Sequence, residues 1–396
     1  MKHLRFDPSW LVVMGGVAAA LHVGKLPTAL PVLRDALGVT LVEAGFLLSL
    51  VQLAGMLLGI VAGLFADSLG LKRTMAGGLA LLALASALGS GAHDAAQLMV
   101  LRAIEGLGFL LASMPAPGLI RRLVAPARVN AALGLWGAYM PLGTALALLA
   151  GAPVMNAIGW RGWWALLALI AAVAAFAIVR LLPADPARSR HPMQGAITSR
   201  LRQTLFERGP WLVALSFCVY SAQWLSVIGF LPTVYTHTGW SASSAGAATA
   251  FAALVNIVGN IGAGRLLQRG AHAPVLLAFG FVAMGAGALL AFRDGDPVLR
   301  YTGVLAFSMF GGLIPGTLFP LSVRLAPGDS TVSTTVGWMQ QWSALGQFAG
   351  PPLVAWVASR AGGWQWSGAV TGTFAAAGMF LAVWIHVALD GRAGRI

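Results

Sequence analysis

His22 and Lys25 lie three residues apart inside an otherwise apolar stretch running from Trp10 to Leu33, and Arg102 and Glu105 lie three apart inside another. Stretches this long and apolar read as membrane helices, where a cationic side chain costs roughly 2.5–3.5 kcal/mol to insert. Such groups face a bundle interior or a water-filled cavity, not lipid. A spacing of three puts both members of each pair on one helical face. Two cations at membrane depth could complement an anion. A carboxylate beside them could take up and release a proton, because desolvation and neighbouring charge act in opposite directions on its proton affinity. An internal salt bridge serving helix packing is the competing reading of Arg102 and Glu105. For His22 it is a neutral packed histidine, and for Lys25 snorkelling to the outer interface.

Depth ties the two pairs together. At 1.5 Å per residue, Lys25 lies roughly 12 Å below the outer end of the first helix and Arg102 roughly 9 Å down the fourth. Both cations fall in one outer-central layer. Neutral polar and aromatic groups occupy the second half of the chain. Tyr220, Gln223 and Trp224 share a face of one segment, Asn256 and Asn260 share a face of the next, and Trp338, Gln340, Gln341 and Trp342 cluster in a later one. With Tyr139 they are candidates for the neutral wall of a small cavity.

The elements that must position these residues follow from composition. Hydrophobic residues make up 58% of the 396 and charged residues 9%, against about 25% charged in a soluble domain, so the chain reads as an all-α integral membrane protein. Segments of about 20 apolar residues recur twelve times, at roughly 10–33, 42–65, 74–91, 96–119, 129–154, 161–182, 211–234, 242–266, 273–292, 299–322, 332–358 and 366–389. The longest polar interruption divides the chain into a first six-helix bundle (1–183), a cytoplasmic linker (184–210) and a second bundle (211–396). The first span is expected to be an uncleaved helix and not a signal peptide. Cys218 stands alone, so no intramolecular disulfide forms.

The net charge of +13 is topological. With the N-terminus inside, eighteen Lys and Arg residues fall on the inner side and five on the outer, which places both termini in the cytoplasm and argues against a nucleic-acid partner. No phosphate-binding loop, metal-ligand cluster or other enzyme motif occurs. The expectation is no enzyme, no cofactor and no metal.

The halves repeat. LGLWGAYMPLGTALALLAGAP of the fifth segment is echoed by VGWMQQWSALGQFAGPP of the eleventh, matching Gly134 to Gly337 and Gly143 to Gly346, with Trp160 later falling on Trp364. Two similar bundles suit alternating access about a site near the midplane. Gly311-Gly312 and Pro315-Gly316 break the tenth segment, a bend suited to gating.

After the second segment come Gly63, Asp67, Gly70, Lys72 and Arg73 in the spacing G-x-x-x-D-x-x-G-x-R/K-R/K, and Arg102, Gly106 and Gly108 follow R-x-x-x-G-x-G. These motifs closely resemble those of the major facilitator superfamily. The resemblance implies twelve helices in two pseudo-symmetric bundles, function as a monomer, and a role for Asp67 and its loop in latching the halves. The second-half counterpart of the loop keeps glycines and arginine but has Gln268 where Asp is expected. Pro141 matches the superfamily's antiporter motif, but Met140 replaces the glycine before it. HVGKLPTALPVLRDALG is similar to bacterial permeases of the cyanate and nitroimidazole group.

The function expected is secondary transport of a small organic or inorganic anion across a bacterial-type inner membrane by alternating access. His22, Lys25 and Arg102 would meet the anion, and Glu105 would couple protons. Proton-driven efflux of a drug or metabolite is the alternative, and a transporter-like sensor the remoter one.

Overall fold

The computed structural model describes residues 8–125, 132, 136–185, 194–293, 295–328 and 331–393. Among the described residues fifteen α-helices carry the chain and no strand occurs. They are α1 (Ser9–Leu37), α2 (Leu41–Ser49), α3 (Leu53–Leu69), α4 (Leu71–Ser90), α5 (Ala95–Ser113), α6 (Ala116–Leu123), α7 (Tyr139–Leu181), α8 (Gln194–Phe206), α9 (Arg208–His237), α10 (Ala242–Gln268), α11 (Ala273–Phe292), α12 (Pro297–Gly311), α13 (Leu313–Leu325), α14 (Val332–Ala361) and α15 (Ser367–Ala393).

Three expected spans are interrupted helices. A 3-10 turn over Leu50–Gln52 joins α2 to α3, Met114 and Pro115 separate α5 from α6, and Gly312 separates α12 from α13, which is where the paired glycines forecast a bend. The reverse happens in α7. Its 43 residues would reach roughly 65 Å if straight, about twice a bilayer core. Gly159, at φ 72°, turns the chain back, so α7 makes two spans. Among the described residues ten helical stretches, three of them the interrupted ones, are long and apolar enough to cross a membrane by length and composition alone. Counting α7 twice and adding α14, which its Thr, Gln and Trp residues make less apolar, gives the twelve spans. Part of the expected linker is helical: α8 begins at Gln194, and α9 starts at Arg208, slightly before the expected residue 211.

Small residues set the packing, as expected where lipid offers no hydrophobic drive between helices. The repeat reappears as geometry. Gly78 of α4 and Gly108 of α5 press backbone against backbone, a Cβ at Gly78 falling 2.7 Å from the Gly108 carbonyl oxygen; Gly287 of α11 and Gly303 of α12 do the same at 2.6 Å. Gly143 seats α7 on α1, where a Cβ would lie 2.7 Å from the Val17 carbonyl oxygen. Its matched residue Gly346 seats α14 on α9, 3.1 Å from Ala222 N. Gly134 lies outside the described residues.

At the end carrying Arg34 and Arg161, an apolar cluster crosses from one half of the chain to the other. Leu26, Leu30, Leu33, Leu47 and Leu48 pack with Phe230 and Ala355. This seal stands directly above the charged layer of α1.

Candidate functional site

The kinship of α1, α4, α5 and α7 brings four ionisable side chains together, all 0–2% exposed: His22, Lys25, Arg102 and Glu105. Glu105 is the hub. Its Oε1 accepts from Lys25 Nζ at 2.5 Å and its Oε2 from Arg102 Nη1 at 2.7 Å. Lys25 also donates to Ser86 Oγ at 3.0 Å, lies 3.4 Å from His22 Nδ1, and sits 4.5 Å over the Trp164 ring. Ser86 Oγ in turn donates a hydrogen bond to the Trp164 carbonyl at 3.0 Å. Arg102 reaches the His22 carbonyl at 2.6 Å and, through Nε, the Leu47 carbonyl at 3.2 Å. That clamps α5 to α1 and to the end of α2.

The arrangement differs from two cations facing an open cavity. Lys25 and Arg102 do meet in one layer, but the group between them is Glu105, and their other partners belong to helices of the first half. A buried carboxylate is a closer counterion than a diffusing anion, because it needs no entry path and no loss of translational freedom. Two cations still face one carboxylate. His22 Nε2 and Arg102 Nη2 are buried without a hydrogen-bond partner. Sequence reasoning missed Ser86 and Trp164, whose small hydroxyl and aromatic face carry no signal outside the fold.

The second-half candidates divide. Tyr220 and Asn256 meet, Asn256 Nδ2 donating to the Tyr220 hydroxyl at 3.3 Å and to the Ser308 carbonyl at 2.8 Å, while Asn260 donates to Asn256 Oδ1 at 3.3 Å. Tyr220 also stacks on Phe217, centroids 5.9 Å apart. Gln223 turns its NH2 back to the Val219 carbonyl and leaves Oε1 buried and unpartnered; the Trp224 and Trp338 indole N–H groups are likewise unpartnered. Trp338 packs edge-on to Trp211 and Trp342, and Gln340 is exposed. Gln341 is committed elsewhere: it accepts from Ile60 N at 3.0 Å and donates to the Met56 carbonyl at 2.8 Å. Those groups are the donor and acceptor of one helical rung, so its amide is spliced into α3. Tyr139 stacks on Trp136 at 4.0 Å, against Gly16 of α1.

At the opposite end of the first half, Gly70 adopts φ 94° between α3 and α4, and a Cβ there would lie 2.8 Å from the Asp185 carboxyl carbon. Asp185 caps α4, accepting from the Lys72 and Arg73 N–H groups at 3.0 Å each, and pairs with Arg122 at 2.8 Å. Lys72 Nζ donates to the Leu182 carbonyl at 2.6 Å. Burial pushes the Asp185 carboxyl up, but hydrogen bonds from Arg122, Lys72 and Arg73 outweigh it and hold it below the usual carboxylate range. Gly63 and Asp67 fall in a stretch whose side chains lie outside the described residues. Asp185 was not anticipated, although an acid between two prolines in a basic segment was a usable signal.

A sequence-family model for the Major Facilitator Superfamily matches residues 12–348, most of the chain. The chain belongs to the major facilitator superfamily. It is therefore a multi-pass membrane transporter by family and not an enzyme. Among solved structures, the superfamily fold is matched by a bacterial homologue of the human lysosomal transporter Spinster, in an inward-facing and occupied conformation. The TM-score is 0.76 at 14% identity, over 98% of this chain and 96% of that one. Curated relatives include the uncharacterized MFS-type transporter EfpA of Mycobacterium tuberculosis, 27% identical over 40% of this chain and 32% of EfpA. The tetracenomycin C resistance and export protein of Streptomyces glaucescens is 28% identical over 38% and 28%, and the puromycin resistance protein pur8 of Streptomyces alboniger 33% identical over 38% and 29%. The matched region spans about a third of each of these relatives.

Proposed function

We propose that this superfamily member is a proton-coupled secondary transporter of the bacterial plasma membrane, exporting a small organic molecule in exchange for protons. The observation that carries the reading is the surplus cation of the buried quartet. Lys25 and Arg102 together outnumber Glu105 by one positive charge in a region 0–2% exposed. An uncompensated interior charge is costly, and release of a single proton removes it. Arg102 stays charged and balances Glu105, so the Lys25–Glu105 hydrogen bond holds the exchangeable proton. His22, 3.9 Å from Glu105 through Nδ1 and unpartnered at Nε2, would relay it.

Export is supported by the similarity to the tetracenomycin C resistance and export protein, and resistance by the similarity to the puromycin resistance protein pur8. Export is also supported by the aromatic and amide character of Tyr139, Tyr220, Gln223, Trp224, Asn256, Trp338 and Gln340, which suits an uncharged or planar organic substrate. The two six-helix bundles, 1–183 and 211–396, would rock about the seal of leucines. The Asp67 and Lys72–Arg73 loop would latch them, and the excess of inner-side Lys and Arg supports cytoplasmic termini.

A second reading has one observation in its favour. The unpartnered Arg102 Nη2 beside a net positive charge suits a small anion, taken up with protons, that lodges next to His22.

Proteoliposomes with an imposed pH gradient separate these readings. Export coupling predicts that Lys25→Met and Glu105→Gln lose gradient-driven accumulation of an organic substrate while retaining downhill exchange. Anion uptake predicts that small anions compete and that Arg102 substitution raises their KM.

A further inference from the structure

Far from the quartet, at the end that carries Lys72, Arg122 and Arg324, a cavity of about 510 Å³ opens between α10, α11, α13 and α15. Arg324 and His272 line it, with His386 and Asp390 across from them on α15. Three features converge on its wall. The cavity takes in the first turn of α11, a twenty-residue helix whose N-cap His272 contributes no side-chain cap, so the partial positive charge of that helix end borders the space. Arg324 adds a guanidinium, the side chain best suited to planar recognition of phosphate oxygens. Independently of both, Thr317 of α13 is 0% exposed, lines the cavity, and has a hydroxyl with no hydrogen-bond partner. A threonine inside a helix ordinarily bonds the preceding turn, and a buried hydroxyl left without a partner is costly. A ligand oxygen in the cavity would satisfy it.

We infer that this cavity binds the phosphodiester headgroup of an anionic membrane phospholipid. The phosphate would sit on the α11–α13 wall, between Arg324, His272 and the Thr317 hydroxyl. The carboxylate of Asp390, 3.5 Å from His386 Nε2, also lines the cavity and would disfavour a negative group beside α15. The rest of the cavity fits the tail of a lipid better than a soluble phosphate. Its floor includes Leu267, Leu321 and Leu389. α11 also carries exposed apolar side chains just beyond its first turn, Val275 and Phe279, at 50–63% exposure. An acyl chain can leave the cavity along that surface without crossing water. The site would tether the inner end of the second half to one leaflet through chemistry independent of the transported substrate.

Native mass spectrometry of the purified full chain, titrated with phosphatidylglycerol, phosphatidylcholine or glycerol 3-phosphate, tests the assignment. The expected result is one retained phosphatidylglycerol, at least tenfold tighter than phosphatidylcholine and not displaced by glycerol 3-phosphate. Arg324→Gln with His272→Gln should weaken it at least tenfold. Thr317→Val, which keeps the side-chain shape, should weaken it severalfold with an unchanged melting curve. If the double variant does not fold, hydrogen exchange of the wild type decides: residues 270–277 should be protected in phosphatidylglycerol nanodiscs and not in phosphatidylcholine ones. Equal retention of both lipids, displacement by glycerol 3-phosphate, unaltered affinity in the folded variants, or identical exchange in both nanodiscs would overturn the inference.

Discussion

Glu105 is the residue on which both buried cations depend. Removing one partner of a buried pair costs about 3–5 kcal/mol, because a charge is left without compensation. Glu105→Gln strands two cations, whereas Lys25→Met leaves Arg102 and Glu105 as a balanced pair bonded at 2.7 Å. The expected order of stability in detergent is therefore wild type close to Lys25→Met, with Glu105→Gln well below both; thermal melting reads it. A Lys25→Met protein as unstable as Glu105→Gln would mean that the Lys25–Glu105 contact itself stabilises the fold and that Lys25 is not a surplus charge. Asp185 makes a different, pH-dependent contribution. Its carboxyl is held below the usual range, so the stabilisation is fully present above the unfolded value of about 3.9 and disappears as pH falls through the lower folded value. Asp185→Asn should melt earlier than wild type at pH 7, with the gap closing below about pH 4. A gap that does not narrow at all as pH falls below 4 would show that the carboxylate is not its source.

Helices and their joints carry the next level. Gln341 is spliced into the Ile60–Met56 rung of α3 and Gln52 donates to Gln347 at 3.0 Å, so two glutamines of α14 hold α3 and the 3-10 turn that precedes it. Gln341→Leu should close the α3 rung on itself and release α14, and hydrogen exchange at residues 56–60 should slow. Faster exchange there would mean that the glutamine protects the helix and does not open it. The sequence could not reveal this. A glutamine in an apolar helix announces a partner but not whether that partner is ligand, cavity water or another backbone, and the neutral cavity wall included Gln341 for that reason. One break was legible: the paired glycines at 311–312 were expected to bend the tenth segment, and α12 gives way to α13 at Gly312, whose backbone is ordinary helix but where a Cβ would strike the Asn256 carbonyl. Gly159, at φ 72°, makes a turn suited to glycine and was not anticipated. Pro141 lies in the first turn of α7, where its missing N–H costs no helical hydrogen bond.

At the scale of the whole molecule, twelve apolar segments, a repeat and two motifs were enough to read the superfamily fold, because lipid leaves few alternatives to helices. The charged site was half legible. Spacing brought His22 to Lys25 and Arg102 to Glu105, and depth arithmetic brought the pairs into one layer. Only the packing of α1 on α5 shows that Glu105, not an empty cavity, receives both cations. The account therefore rests on a proton held between Lys25 and Glu105, and proton movement is its most direct test. Purified protein in proteoliposomes containing a pH-sensitive dye is given substrate on one side without an imposed gradient. The account predicts proton flux opposite to substrate flux in the wild type, and substrate exchange without proton flux in Lys25→Met. Proton flux of undiminished size in Lys25→Met would contradict it.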